Sequence, residues 1–177
     1  MATDRRTSGA QVEDEGIELR GMSRVNDALG ERGHINITSY NRQVLLTGEV
    51  PNAQDRQLVE QIMAKVENVR GIVNELGVMG TASLTQRSSD AIITGRIKAA
   101  FVDAKDLSTN TFKVVTERGV TYLMGRVTQA EASRATDVAR STSGVQKVVR
   151  IFEYLSDDEL RHLLVPPAQP GPATKLP

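Results

Sequence analysis

Two strand-like runs, Val44-Leu45-Leu46-Thr47-Gly48-Glu49-Val50 and Thr121-Tyr122-Leu123-Met124-Gly125-Arg126-Val127, carry a glycine in register. A repeat of this kind divides the 177-residue chain into two copies of one small unit rather than one ordinary domain. Only 39% of residues are hydrophobic and 3% aromatic, with no Trp, so each copy builds a thin core from Val, Ile, Leu and Ala. Domains this small are marginal alone, and the copies are expected to lean on each other.

Taken in order, residues 1–15 are polar and aperiodic and read as a flexible lead-in. Helical spacing begins near Gly16, with Met22, Val25 and Leu29 on one face and Arg20, Arg24, Asp27 and Glu31 on the other; Gly30 and Gly33 stop it. Ile35-Asn36-Ile37-Thr38 alternates, Ser39-Tyr40-Asn41-Arg42 turns, and Val44 to Val50 completes a hairpin. Pro51-Asn52-Ala53 opens a helix with Val59, Ile62, Met63 and Val66 inward, and a strand over 71–78 closes the unit at about residue 79. Residues 80–89 have linker composition.

The order then repeats over 90–154: a helix from Asp90 to about Ala104, strands over 112–116 and 121–127, a helix from Gln129, and a strand from Val145 to Tyr154. The fold class is therefore α+β, with two tandem αββαβ units, each a small mixed three-stranded sheet packed by two helices. The strands align at an offset of 77, the first helices at 72 by Arg24 and Arg96, and the last strands at 76. These offsets imply an insertion over 105–110 in copy two and an extra residue near Asn68 in copy one. Beyond Tyr154, Ser156-Asp157-Asp158-Glu159 has the form of a capping box, so 160–164 forms a helical turn in a 155–177 tail that the prolines leave disordered. The repeated Gly48 and Gly125 read as structural glycines, at a bulge or where the second helix packs too close for a side chain, ahead of ligand contact.

Little in the chain supports catalysis. Cysteine is absent, which excludes disulfides, zinc-thiolate sites and thiol chemistry. His34 and His162 have no second ligand at metal spacing and read as surface residues, so neither metal nor cofactor is expected. No phosphate-binding or dinucleotide fingerprint is present. Gly30-Glu31-Arg32-Gly33 and Gly77-Val78-Met79-Gly80 match a KH-type GxxG by letter only, since neither joins two helices. Formal charge is zero, and with few aromatics to stack bases, nucleic-acid binding is excluded.

The charge is uneven. Residues 90–152 hold ten basic and six acidic side chains, whereas 22–79 hold six and seven, so the copies differ in the property that selects partners. The first helix of copy two carries two apolar strips. Ile93, Ile97, Ala100, Phe101 and Ala104 make an ordinary core stripe at 100° per residue. Ile92, Gly95, Ala99 and Val102 gather on the far side, beside Arg96, Lys98 and Asp103. An apolar strip edged with cations suits shallow docking into anionic headgroups. It equally suits packing against copy one, and the residues leave the two readings open.

The αββαβ order with its in-register glycine resembles the BON family, over about residues 2–154. The most specific stretch is Thr116-Glu117-Arg118-Gly119-Val120-Thr121-Tyr122-Leu123-Met124-Gly125-Arg126-Val127-Thr128, supported by Ile35-Asn36-Ile37-Thr38 and Pro51-Asn52-Ala53. In tandem the copies are similar to the dual BON-domain lipoproteins of the Gram-negative outer membrane. The resemblance implies a non-enzymatic role in envelope integrity at the periplasmic face of the outer membrane, with a lipid anchor in an N-terminal segment. It also implies binding of anionic phospholipid, phosphatidylglycerol or cardiolipin, through Ile92, Gly95, Arg96, Lys98, Ala99, Val102 and Asp103. The alternative it leaves is a periplasmic interaction or holdase-like module contacting outer-membrane assembly machinery, through a copy-one surface around Tyr40 and Val44.

Overall fold

The computed structural model describes residues 4–165. Copy one runs α1 (Ser8–Leu29), β1 (His34–Tyr40), β2 (Gln43–Val50), α2 (Ala53–Ala64), β3 (Gly71–Asn74) and β4 (Gly77–Val78). Copy two runs α3 (Leu84–Asp103), β5 (Phe112–Glu117), β6 (Val120–Val127), α4 (Gln129–Arg140) and β7 (Lys147–Tyr154), and α5 (Asp157–Leu164) follows. The fold is α+β, as the repeat requires.

In each copy a hairpin supplies two antiparallel strands, and a helical crossover brings the last strand back parallel to the middle one. The single strand expected over 71–78 is two, because Glu75 and Leu76 step out of the ladder before β4 rejoins β2. Leu76 turns into the core there, and Arg56 bonds across the break, donating to the carbonyls of Asn74 (2.6 Å) and Leu76 (3.0 Å).

The strands of the middle hairpin limbs are apolar on both faces because both faces are covered. On β2, Val44, Leu46 and Val50 join Ile17, Val25, Val59 and Met63 beneath the helices. Leu45 points the other way, into a second cluster with Tyr40, Tyr122 and Met124, bordered by Val73, Val115, Val149 and Ile151. The two sheets therefore pack face to face, with helices outside, and the thin cores of the copies share a third one between them.

The buried faces correct the alignment of the first helices. Asp14, Ile17 and Val25 of α1 occupy the positions of Asp90, Ile93 and Phe101 of α3, an offset of 76 rather than 72. Arg20 donating to the Glu67 carbonyl and Arg96 donating to the Ser143 carbonyl, each at 3.4 Å, repeat the same bond at the same offset. The extra residue of copy one also moves. α2 and α4 already align at 76 from their first residues, so it lies at Pro51, between β2 and the Asn52 cap, and not near Asn68.

Three expectations about segments change. The lead-in is structured where described: α1 starts at Ser8, capped by Thr7, well before Gly16. Arg5 donates to Glu131 (2.7 Å) and to the Arg126 carbonyl (2.9 Å), while Arg6 pairs with Asp14 (2.8 Å) and lies 4.7 Å over the Tyr40 ring. The 80–89 linker is helical from Leu84, with Ser83 accepting from the Gln86 amide (3.1 Å). In the tail, the Ser156/Glu159 capping box is formed and carries a helix from Asp157 to Leu164; the disorder expected over 166–177 falls outside the described residues.

Gly48 and Gly125 are structural, and what each meets is backbone beside it in the hairpin rather than the second helix: His34 of β1, and Thr111 in the short 3-10 turn that leads into β5. At Gly48, φ is +110° and a Cβ would overlap the His34 carbonyl oxygen. At Gly125 a Cβ would lie 2.8 Å from the Thr111 carbonyl oxygen, the equivalent atom.

Candidate functional site

α3 is held to its sheet by one face only. Ile93, Ile97 and Phe101 are buried, and Asp90 bonds the Arg118 (2.9 Å) and Gly119 (3.1 Å) amides of the β5–β6 turn. The docking of copy one uses the opposite side of the sheet. The outer face of α3 is consequently left to solvent and does not pack against copy one.

On that face Ile92 is 56% exposed, Val102 67% and Leu84 79%. At 100° per residue, Leu84, Ala91, Gly95 and Val102 fall on one line with Ile92 and Ala99 to one side. The strip spans the helix, roughly 27 Å at 1.5 Å per residue. A Cβ on Gly95 would meet nothing within 4 Å, so the helix backbone itself is open to an approaching surface. Leu84 escaped notice because the segment read as linker; Ser83-Leu84-Thr85-Gln86 has the Ser-x-x-Gln form of a capping box, the signal that would have extended the helix to include it.

The cations flank the strip unequally. Lys98 is exposed on its edge, among the strip residues by angle. Arg96 leans away toward the end of α4, donating to the Ser143 carbonyl (3.4 Å). It there borders a groove of about 470 Å³ between α3 and α4, floored by Ala100 and Val138 and flanked by Arg134. Arg134 is paired with Asp106 (3.0 Å). Asp103 stands exposed at the C-terminal end of the strip, where its charge opposes an anionic surface.

The equivalent face of α1 exposes Val12 and Leu19 among Ser8, Glu15, Ser23 and Asn26. It is more apolar than the offset of 72 implied, but it lacks a continuous strip. Tyr40 and Val44, proposed as a partner surface, are buried. Val44 lies in the copy-one core, and Tyr40 sits between the sheets with its hydroxyl accepting from the Arg126 amide (3.3 Å). A sheet covered on both faces leaves no outward side for β-branched and aromatic residues to mark, so residue type alone does not show exposure here. Among the described residues, no helix is long and apolar enough to cross a membrane.

The model of the BON domain matches residues 13–80 and again 89–155. Outer membrane lipoprotein DolP of Haemophilus influenzae is 40% identical over 158 residues, covering 88% of this chain and 81% of that protein. The 21 kDa hemolysin of Actinobacillus pleuropneumoniae is 34% identical over 154 residues, covering 86% and 79%. Among solved structures, CdsD, a structural protein of the type III secretion system of Chlamydia trachomatis, aligns with a TM-score of 0.34 and 11% identity over 83% of this chain and 99% of that one. With both repeats matched and a relative this similar along most of its length, the chain belongs to the BON-domain family.

Proposed function

We propose that this protein is a non-enzymatic, outer-membrane-associated phospholipid-binding protein that docks on anionic bilayers through the outer face of α3. The observation that carries the reading is the solvent-facing strip from Leu84 to Val102, apolar and edged by Lys98 and Arg96, on a helix whose other face alone holds the fold. The name of the Haemophilus influenzae relative, an outer membrane lipoprotein, supports the location. A lipid anchor on an upstream segment would supply most of the membrane affinity, and α3 would orient the domain pair. Each well-placed Lys or Arg contributes about 1 kcal/mol near an anionic surface, so the affinity of α3 alone is modest and screened by salt.

The test is co-sedimentation with phosphatidylglycerol or cardiolipin vesicles at low salt. Binding is expected to fall at least about tenfold for Ile92→Asp, Val102→Asp and Leu84→Asp, as a charge replaces exposed apolar area that docking would bury. Far-UV circular dichroism of the variants should be unchanged, since these side chains point away from the core. Wild-type protein that ignores anionic vesicles at low salt overturns the proposal.

A further inference from the structure

The face-to-face packing of the sheets creates two matched corners, related by the repeat offset of 77. At one, Tyr40, Arg126 and Thr111 occupy the repeat positions of Glu117, Glu49 and His34 at the other. The Tyr40 corner is rich in cations: Arg126 and Arg70 both pair with Glu153, at 3.4 and 3.6 Å, and Arg6 covers the tyrosine ring. At the His34 corner Glu49 and Glu117 are both buried; Arg118 lies 3.6 Å from one Glu49 oxygen, and Arg87 lines the adjoining pocket.

His34 and Glu49 face each other across the β1–β2 ladder, with His34 Nδ1 3.4 Å from Glu49 Oε1. Glu117 reaches in from copy two, accepting from Asn36 and from the Thr47 hydroxyl (3.2 Å). One donor atom from each of His34, Glu49 and Glu117 lies within 4.8 Å of the other two. Glu49 is 1% exposed, and while its Oε1 accepts from the Ala82 amide (2.6 Å), its Oε2 has no hydrogen-bond partner. Glu49 Oε1 pairs with Arg118, but a buried carboxylate oxygen left without a partner is a group that a bound cation would satisfy.

We infer that His34, Glu49 and Glu117 form a site for a divalent transition ion such as Zn²⁺, which would clamp copy one to copy two. One imidazole nitrogen and two carboxylate oxygens suit zinc; Mg²⁺ and Ca²⁺ prefer oxygen alone. Tetrahedral zinc holds donors about 3.4 Å apart at bond lengths of roughly 2.1 Å, so the side chains close by about 1 Å on binding. A pocket of about 180 Å³, lined by His34, Asn36, Arg87, Asp90, Thr94 and Glu117, adjoins two of the three ligands and gives an entry path from solvent. Because Glu117 comes from the second copy and the other two ligands from the first, the ion bridges the sheet interface and should stabilise the docked pair.

Isothermal titration of the full chain with ZnCl₂ in chelator-free buffer is expected to show one equivalent bound, and zinc in excess should raise the thermal unfolding midpoint by about 3 °C or more. Mg²⁺ at the same concentration should do neither. His34→Ala and Glu117→Gln should each weaken zinc binding at least about tenfold and abolish the midpoint shift, whereas His162→Ala should bind as wild type. Glu117→Gln removes a buried charge while keeping the acceptor for Asn36, so it remains folded and testable even if His34→Ala does not. Wild-type protein whose midpoint ignores zinc, or a folded Glu117→Gln that still binds one zinc with wild-type affinity, overturns the site.

Discussion

Replacing Gly48 by alanine is expected to lower the unfolding midpoint by about 10 °C, the largest loss from adding a single methyl group to this protein. Gly48 has φ +110°, where an L side chain is strained by about 1–3 kcal/mol before any contact is considered. The added Cβ would also run into the His34 carbonyl oxygen, an atom of the backbone ladder that no rotamer change can move aside. Relief requires β1 to slide or bend away from β2, which disturbs Ile35 and Ile37 in their packing on the copy-one core. Strain and clash together cost about 3 kcal/mol or more, and a chain of this size loses roughly 2–4 °C per kcal/mol. Gly125→Ala is the matched control. Its φ is not in the left-handed region and its Cβ would lie 2.8 Å from the Thr111 carbonyl oxygen, so a loss of about 1–2 kcal/mol is expected. Thermal melts followed by circular dichroism separate them; equal midpoints for the two variants would refute the assignment of Gly48 as the stricter position.

The same strand shows what the chain reveals of itself and what it conceals. Its near-continuous apolar run was legible because both faces are covered, and the glycine in register identified the repeat without any tertiary knowledge. Which face meets which neighbour was not legible. Val44 and Leu45 are adjacent and chemically alike, yet one enters the core of copy one and the other the interface with copy two. Tyr40 was mistaken for a surface residue for this reason. The inner stripe of α3 is legible from Ile93, Ile97 and Phe101, but that the opposite strip faces solvent rather than copy one is not, because it depends on which side of the sheet copy one covers. The order ahead of α1 is not legible because tertiary partners hold it: Arg5 and Arg6 are fixed by Glu131, Asp14 and Tyr40, farther along the chain. His34 looked solitary for a related reason. Its hairpin partner Glu49 follows from strand register, but Glu117 stands 83 positions away and arrives only when the sheets dock.

Asp14 joins the first helix to the hairpin, and its loss is expected to be as damaging as the glycine substitution. The side chain is fully buried and accepts four hydrogen bonds: from the Asn41 amide (2.7 Å), the Arg42 amide (2.8 Å), the Ser39 hydroxyl (2.7 Å) and the Arg6 guanidinium (2.8 Å). Asn41 and Arg42 both have positive φ, so the turn they form is itself strained and depends on this acceptor. Asp14→Ala strands two amides and a hydroxyl without partners and should cost about 3–5 kcal/mol in urea denaturation at pH 7. Asp90 plays the same part for the β5–β6 turn, but there one turn residue is Gly119 and the side chain that adds a bond is the neutral Gln86 amide in place of a guanidinium, so Asp90→Ala should cost less. The pH dependence carries a sign. Burial raises the Asp14 carboxyl, but the Arg42 amide, the Ser39 hydroxyl, Arg6 and the Asn41 amide outweigh it and hold it below its ordinary value. A carboxyl depressed in the folded state contributes stability above its unfolded pKa, about 3.9, and loses it as pH falls through the lower folded value. The stability gap between wild type and Asp14→Asn should therefore be constant from neutral pH down to about 5, and close progressively below about 4. A gap that stays open at pH 2, or one that closes on the alkaline side instead, would show that the carboxylate charge is not what holds the turn.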